Sequence, residues 1–247
     1  MDAVSDYDAI AAMYHRLWED WYLPAALPAL ERLLFCKLAP GACVLDLCCG
    51  SGHVTKELVA RGYLVTGIDS SAGLIAHAQE ALPEVRFLVQ DARELRFETE
   101  FDAIVSTFDS LNHILTLEGL QRVFTGAQRA LRNGGLFLFD MNLEEAYSAD
   151  LHNWAVTVEE ANVTLVRGTY DRDQHLGATE LIWFEQEGSD NALWRRHSSV
   201  VKERCYQMPE ILSALEGAGF RNVDTVAAEG AGMKSQLGTG RYFFSAR

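Results

Sequence analysis

The stretch Val44-Leu45-Asp46-Leu47-Cys48-Cys49-Gly50-Ser51-Gly52-His53 decides how this chain is read. Cys43–Leu47 has the length and apolar continuity of a buried strand, and a helical pattern over 54–61 ends at Gly62. Between them, Gly50 and Gly52 let the backbone turn sharply and approach a ligand, while the helix N-terminus behind presents unpaired N–H groups. Such a turn also serves plain geometry in many strand–helix units. The dinucleotide fingerprint asks for a third glycine three residues on. Thr55 stands there, and Cys48 occupies the position two before Gly50, which argues against a pyrophosphate cradle.

Outward from the turn, strands are predicted at 63–68, 85–89, 101–106 and 135–140, and helices at 72–82 and 117–131. Five short apolar strands alternating with helices predict parallel βαβ units and a sheet covered on both faces. Upstream, Ile10, Met13, Tyr14, Leu17, Trp18 and Trp21 recur at helical spacing, and Pro24 divides residues 6–38 into two predicted helices. Past Leu143 the pattern changes. Runs at 154–161, 163–171, 179–187 and 194–204 read as strands, with turn residues at 171–177 and 188–191 that favour antiparallel hairpins. A helix at 209–216 and strands at 220–227 and 242–246 restore the first pattern, around a Gly-rich loop at 228–240. The expectation is one α/β, doubly wound domain. Its parts are N-terminal helices (1–40), a core (41–150), an antiparallel β insertion (151–205) and the end of the core (206–247).

Charge narrows the function. The 247 residues hold 21 Lys and Arg against 35 Asp and Glu, a formal charge of −14. That excess repels a phosphate backbone, so nucleic acid is not an expected partner. No run of about 18 uncharged apolar residues is present, so a membrane is not expected either. The acidic N-terminus has no basic region of a secretory signal, and five cysteines without a spaced framework fit a reducing cytoplasm.

Acidic residues at successive strand ends raise the signal of the glycine turn. Asp69 closes the second strand, where a carboxylate can accept hydrogen bonds from both ribose hydroxyls. Asp91 closes the third, placed to accept from an adenine amino group, and Asp46 closes the first, where it would face an ammonium. One such Asp is as readily a helix N-cap. Three around one crevice describe a nucleoside carrying a cation.

With these residues in view, 42–141 resembles the class I S-adenosylmethionine-dependent methyltransferases. The family's D-x-G-x-G-x-G motif matches Asp46 to Gly52 with Cys48 in place of its first glycine, and its ribose-binding acid matches Asp69, followed by Ser70. Its adenine-binding acid matches Asp91-Ala92, and its fourth motif matches Thr107-Phe108-Asp109-Ser110. The resemblance implies a Rossmann-like seven-stranded sheet with helices on both faces, S-adenosyl-L-methionine as cofactor and S-adenosyl-L-homocysteine as product. It gives the N-terminal helices the role of a lid, through Tyr7 and Tyr14, and places Phe108 against the cofactor. The insertion sits where glycine-type and amino-sugar N-methyltransferases carry a β subdomain over a small-molecule acceptor.

Methyl transfer from a sulfonium is a displacement that needs alignment and exclusion of water, and needs no metal. A base enters only for a hydroxyl or protonated amine acceptor. His113 and Tyr14 are the acceptor-side candidates, His113 as base or orienting group, with a capping or surface histidine as the alternative. Trp18 and Trp21 fit an aromatic wall or an ordinary packed helix. Arg195-Arg196-His197 fits an anion site or a solvated strand, His53 is expected to be neutral and structural, and Cys48-Cys49 lacks metal-ligand spacing. The leading expectation is a small-molecule methyltransferase. Its rivals are a catalytically silent cofactor-binding subunit and an NAD-linked oxidoreductase. The acceptor, the methylated atom and the oligomeric state leave no sequence signal.

Overall fold

A computed structural model describes residues 7–148, 153–187, 193–233 and 236–247, with the backbone alone over 16–21 and at 148 and 236. The chain runs α1 (Ala11–Leu33), β1 (Cys43–Leu47), α2 (His53–Ala60), β2 (Leu64–Asp69), α3 (Ala72–Ala81), β3 (Arg86–Val89), β4 (Phe101–Ser106), α4 (Leu117–Ala130), β5 (Leu131–Asn142) and α5 (Glu144–Ser148). There follow β6 (Ala155–Val158), β7 (Asn162–Asp171), β8 (Leu176–Glu187), β9 (Leu193–Arg204), α6 (Met208–Ala218), β10 (Val223–Ala227) and β11 (Arg241–Ala246).

Seven strands form one sheet in the order β10-β11-β5-β4-β1-β2-β3. β1 to β5 pair in parallel, and β11 runs antiparallel to both of its neighbours. The chain leaves β1 toward β2 and β3, then returns to β4 on the other side. The switch point therefore lies between β1 and β4, where sheets of this kind open a crevice beyond their carboxyl ends. Alternation with period two sorts the core. Leu45, Leu47, Ile104, Phe137 and Phe139 face α4 and α6, while Val44, Ala103, Val105, Leu136 and Leu138 face α1 and α2.

The remaining strands form a meander, β6-β7-β8-β9, antiparallel throughout. Its Leu181, Trp183 and Val201 are buried against Ile10 and Met13, so this sheet rests on the start of α1. The Asn112 side chain ties the two sheets together. Its Nδ2 donates to the carbonyls of Asn142 (3.0 Å) and Arg204 (2.8 Å), and its Oδ1 accepts from the Asn142 N–H (3.0 Å).

One expectation needs correcting. Residues 6–38 do not form two helices divided at Pro24, because α1 continues through both Pro24 and Pro28. A proline removes its own N–H from the helix ladder. Here the completely buried Ala26, Ala29, Leu30 and Leu34 hold the segment against the sheet and outweigh the lost bonds.

Candidate functional site

The site grows from the carboxyl end of β1. Cys48, Gly50 and Gly52 all take left-handed backbone conformations, with φ of 61°, 55° and 90°. Two are glycines, for which this is cheap; Cys48 adopts the same geometry at a cost of roughly 1–2 kcal/mol. The turn is held by Asp69, whose Oδ2 accepts the Gly50 N–H at 3.0 Å and whose Oδ1 accepts the Ser71 N–H at 2.8 Å. Burial pushes the Asp69 carboxyl above the usual carboxylate range, against the pull of those two N–H groups. Ser71 in turn caps α3 and receives the clasp of the N-terminal segment. Asp8 Oδ1 accepts from Ser71 Oγ (2.7 Å) and from the Gly73 N–H (3.1 Å).

Asp46 is buried, and Thr55 Oγ1 donates to it at 2.6 Å. Burial pushes its carboxyl up to about 7 despite that hydrogen bond. Asp91 behaves differently. It caps the short turn after β3 through the Arg93 N–H (2.8 Å) and pairs with the Arg93 guanidinium, which holds its carboxyl below the usual range.

After β4, Phe108 and Asp109 also take left-handed conformations, with φ of 61° and 49°, which cost of order 1–3 kcal/mol each. The surroundings enforce them. Phe108 stacks on Tyr22 (4.5 Å between centroids), and Asp109 binds Asn142 Nδ2 (2.6 Å) and the buried Arg241 (3.2 Å), which also pairs with Asp140. His113 then bridges two distant parts. Its Nδ1 lies 2.9 Å from the Lys202 carbonyl, which only accepts, so Nδ1 carries the proton. In the neutral ring Nε2 is then the lone-pair nitrogen, and Tyr7 O–H donates to it at 2.8 Å. The Tyr7 ring meets Tyr14 edge-on at 5.5 Å.

These parts enclose a cavity of about 370 Å³. Tyr7 and Tyr14 line it from the N-terminal segment, Cys48 and Gly50 from the turn, and Asp69, Ser70, Asp91 and Ala92 from the strand ends. Phe108 and His113 come from the segment after β4, and Val201 and Lys202 from β9. A pocket of about 50 Å³ adjoins it through Tyr14, Cys48, Gly50 and Phe108 and contains Asp46. A larger groove, about 590 Å³, lies at the opposite ends of the strands and carries none of the strand-end acids.

The structure thus gathers all the sequence-predicted site residues around two joined cavities except Gly52. That glycine lines neither, and a Cβ there would meet Ala78 Cβ at 3.3 Å. The Trp18 and Trp21 side chains lie outside the described residues. Arg195 pairs with Glu187 across the β8–β9 ladder, His197 stacks on Trp183, and His53 Nε2 lies 3.0 Å from Ser51 Oγ. Among the described residues no three His, Cys, Asp or Glu converge as a metal site, and no helix is long and apolar enough to cross a membrane. Sequence reasoning missed the Asp8 clasp, the Tyr7–His113 bond, Thr55 and Arg241. Only Thr55 left a signal, since it stands one helical turn into α2, within reach of the end of β1.

Residues 44–135 match the family described as "Methyltransferase domain". The chain is 26% identical over 250 residues to the putative methyltransferase YqeM of Bacillus subtilis, covering 98% of this chain and 94% of that one. Among solved structures it is similar to an S-adenosylmethionine-dependent methyltransferase from Clostridium acetobutylicum, with a TM-score of 0.78 at 22% identity over 98% and 99% of the two chains. It is also similar to CalS10, an S-adenosylmethionine-bound amino pentose methyltransferase from Micromonospora echinaspora, with a TM-score of 0.73 at 21% identity over 99% and 98%. A methyltransferase domain thus matches the glycine turn and most of the strand ends around it, and over nearly its whole length the chain is similar to methyltransferases.

Proposed function

We propose that the protein methylates a small molecule by direct displacement, with the cofactor on the strand ends and the acceptor under the insertion. The observation that carries this reading is the single cavity that joins Gly50, Asp69 and Asp91 to Tyr7, His113 and Val201. Its cofactor wall and its acceptor wall share one enclosure. CalS10 is an amino pentose methyltransferase whose fold is shared over 98% of its chain, which supports a small polar acceptor here.

The residues fit the cofactor. A Cβ at Gly50 would point at the Tyr14 ring, 3.8 Å away, so glycine keeps the turn open where a ligand must pass. Asp69 has carboxylate lone pairs beyond its two N–H bonds for ribose hydroxyls, and Asp91-Ala92 borders the adenine end. Asp46, in the adjoining pocket, would hold the amino group. Bound S-adenosylmethionine supplies an electrophilic methyl on a sulfonium centre. Tyr14 and Phe108 exclude water around it and offer their rings to the positive charge. His113 Nε2 takes a proton from the acceptor once Tyr7 gives up its hydrogen bond, a contribution of about 10²–10⁴-fold where the acceptor arrives protonated.

Calorimetry with S-adenosylmethionine and S-adenosylhomocysteine, followed by methyl-release assays over a panel of small amines and alcohols, tests the reading. Binding of both with turnover of at least one acceptor class is expected. Failure of either nucleoside to bind would overturn it. Binding without any turnover would leave a cofactor-binding subunit.

A further inference from the structure

The outer face of the β6–β9 meander has a composition that the site does not explain. Directly opposed residues of an antiparallel ladder point to one side, so the register sorts this sheet into two faces. Thr164, Leu181, Trp183 and Val201 point inward and are buried. Two complete rungs define the other face. Val158, Val163, Phe184 and Arg196 oppose one another across the four strands, and Val156, Leu165, Ile182 and Ser198 do the same one rung on. Trp154, whose ring lies 4.6 Å from the Arg167 guanidinium, extends this surface at one end together with Val200, and Trp194 extends it at the other. None of these apolar residues joins a buried apolar cluster among the described residues, and Val156, Val158, Trp194 and Val200 are exposed. With strands about 4.8 Å apart and rungs of one face about 6.8 Å apart, the surface covers roughly 600 Å². Contiguous apolar surface above a few hundred Å² marks an interaction site on a soluble protein.

The charges on and around this face identify the occupant. Arg167 and Glu180 pair with each other at 2.6 Å, so covering the face strands neither of them. At the end of the sheet nearest Val158, Glu160 lies in the turn after β6 at one edge, and Arg196 stands on β9 at the other. Three strand gaps, about 14 Å, separate them, and among the described residues neither has an ion pair. A two-fold axis parallel to the strands lays β6 of one chain over β9 of a second, and each Glu160 then meets the Arg196 of the other copy. We propose that this face is a two-fold interface between copies of this chain, the sheets stacked about 10 Å apart. Its extent is on the scale of the roughly 800 Å² of accessible surface that a stable interface takes from each partner, with apolar rungs at the centre and charges at the rim. Val201, which lines the cavity, points to the opposite face, so pairing leaves that wall uncovered.

Sedimentation of the chain over a range of concentrations tests the proposal. A species at twice the 27.5 kDa of one chain is expected, dissociating on dilution. Val156→Arg combined with Val158→Arg, both at exposed positions, should weaken association by at least about a hundredfold and leave the circular dichroism spectrum unchanged. The rim charges give the sharper reading. Glu160→Arg and Arg196→Glu should each weaken self-association by about tenfold, because each sets like charges against one another. An equimolar mixture of these two variants should recover the wild-type affinity as a mixed pair, since both contacts then join opposite charges. Only β6 lying over β9 of a second copy predicts that rescue. A monomer at every concentration overturns the proposal, even if the face then proves to bind lipid vesicles or another protein. So does a dimer that tolerates both arginines, or a mixture of the charge variants that stays as weak as either alone.

Discussion

The two sheets of this protein are built by opposite rules. In the seven-stranded sheet, β1, β4 and β5 are covered on both faces, and Val44, Leu45, Leu47, Ala103, Ile104 and Val105 have no exposed surface. In the four-stranded sheet only one face is packed, through Leu181, Trp183 and Val201, while Val156, Val158 and Val200 on the other strand positions are 56%, 73% and 49% exposed. The covered sheet carries the proposed cofactor wall at its strand ends, where Asp46 is buried and Asp69 and Asp91 are half-buried. The half-covered sheet carries the proposed acceptor wall, and its ties to the rest of the protein include His113, Asn112, the Tyr147–Glu203 hydrogen bond and a small apolar cluster.

The largest effect expected from this difference is on stability. Phe139 is fully buried, stacked on Phe244 at 4.9 Å and packed on Phe124 and Phe137. Phe139→Ala should cost about 3–5 kcal/mol in urea denaturation. Leu181→Ala, in the thin cluster over α1, should cost about 2 kcal/mol, at the low end for a leucine truncation. Equal losses would mean that the insertion is as firmly built as the core, and the comparison would break.

Next in size is the cofactor wall. Asp69→Ala removes the acceptor for the Gly50 and Ser71 N–H groups together with the proposed ribose contacts. It should weaken S-adenosylhomocysteine binding by about a hundredfold, the scale of one to two hydrogen bonds to a charged group. Leu181→Ala should shift that affinity only slightly. Calorimetry of the two variants side by side measures whether the sheets are energetically separate.

A pH experiment sharpens the same point within the cofactor wall. Burial raises the Asp46 carboxyl to about 7, so between about pH 4 and pH 7 the folded, cofactor-free protein keeps a proton that the unfolded chain has released. Stability from this group therefore falls as pH rises through that window and levels off above it. Binding runs the other way, because an ammonium prefers the ionised acid. S-adenosylhomocysteine affinity should climb by up to about fivefold from pH 6 to pH 7, reach about tenfold by pH 8 and then flatten, and Asp46→Asn should abolish the climb.

Much of the covered sheet was legible from sequence because each strand had to be apolar on both faces and each acid sat at a strand end. Asp46, Asp69 and Asp91 could be placed by counting. The neighbours that tune them could not. Asp91 reads the same whether it faces a ligand or Arg93, and the structure gives it Arg93 as partner. Arg241 reaches Asp109 across 132 positions, a pairing with no local pattern. The insertion's strands showed in their alternation, yet nothing in that alternation named Ile10 and Met13 as the surface they cover. Pro24 misled for a related reason. Local chemistry argues for a break there, and tertiary burial of Ala26, Ala29 and Leu30 overrides it.

The smallest effect concerns the link between the two walls. Tyr7 comes from the N-terminal segment, His113 from the cofactor sheet and the Lys202 carbonyl from the insertion, and two hydrogen bonds join all three. Tyr7→Phe keeps the ring against Tyr14 and deletes only the hydroxyl, so the fold should lose about 0.5–1.5 kcal/mol. Freed from the tyrosine, Nε2 needs no displacement before it meets an acceptor. Turnover of a hydroxyl or ammonium acceptor should therefore hold or rise, while its KM increases as the N-terminal segment is held less firmly over the cavity. His113→Ala should instead lower kcat. If both variants change kcat and KM alike, the histidine serves only to join the sheets, and the separation between the cofactor wall and the acceptor wall is structural with no part in the chemistry.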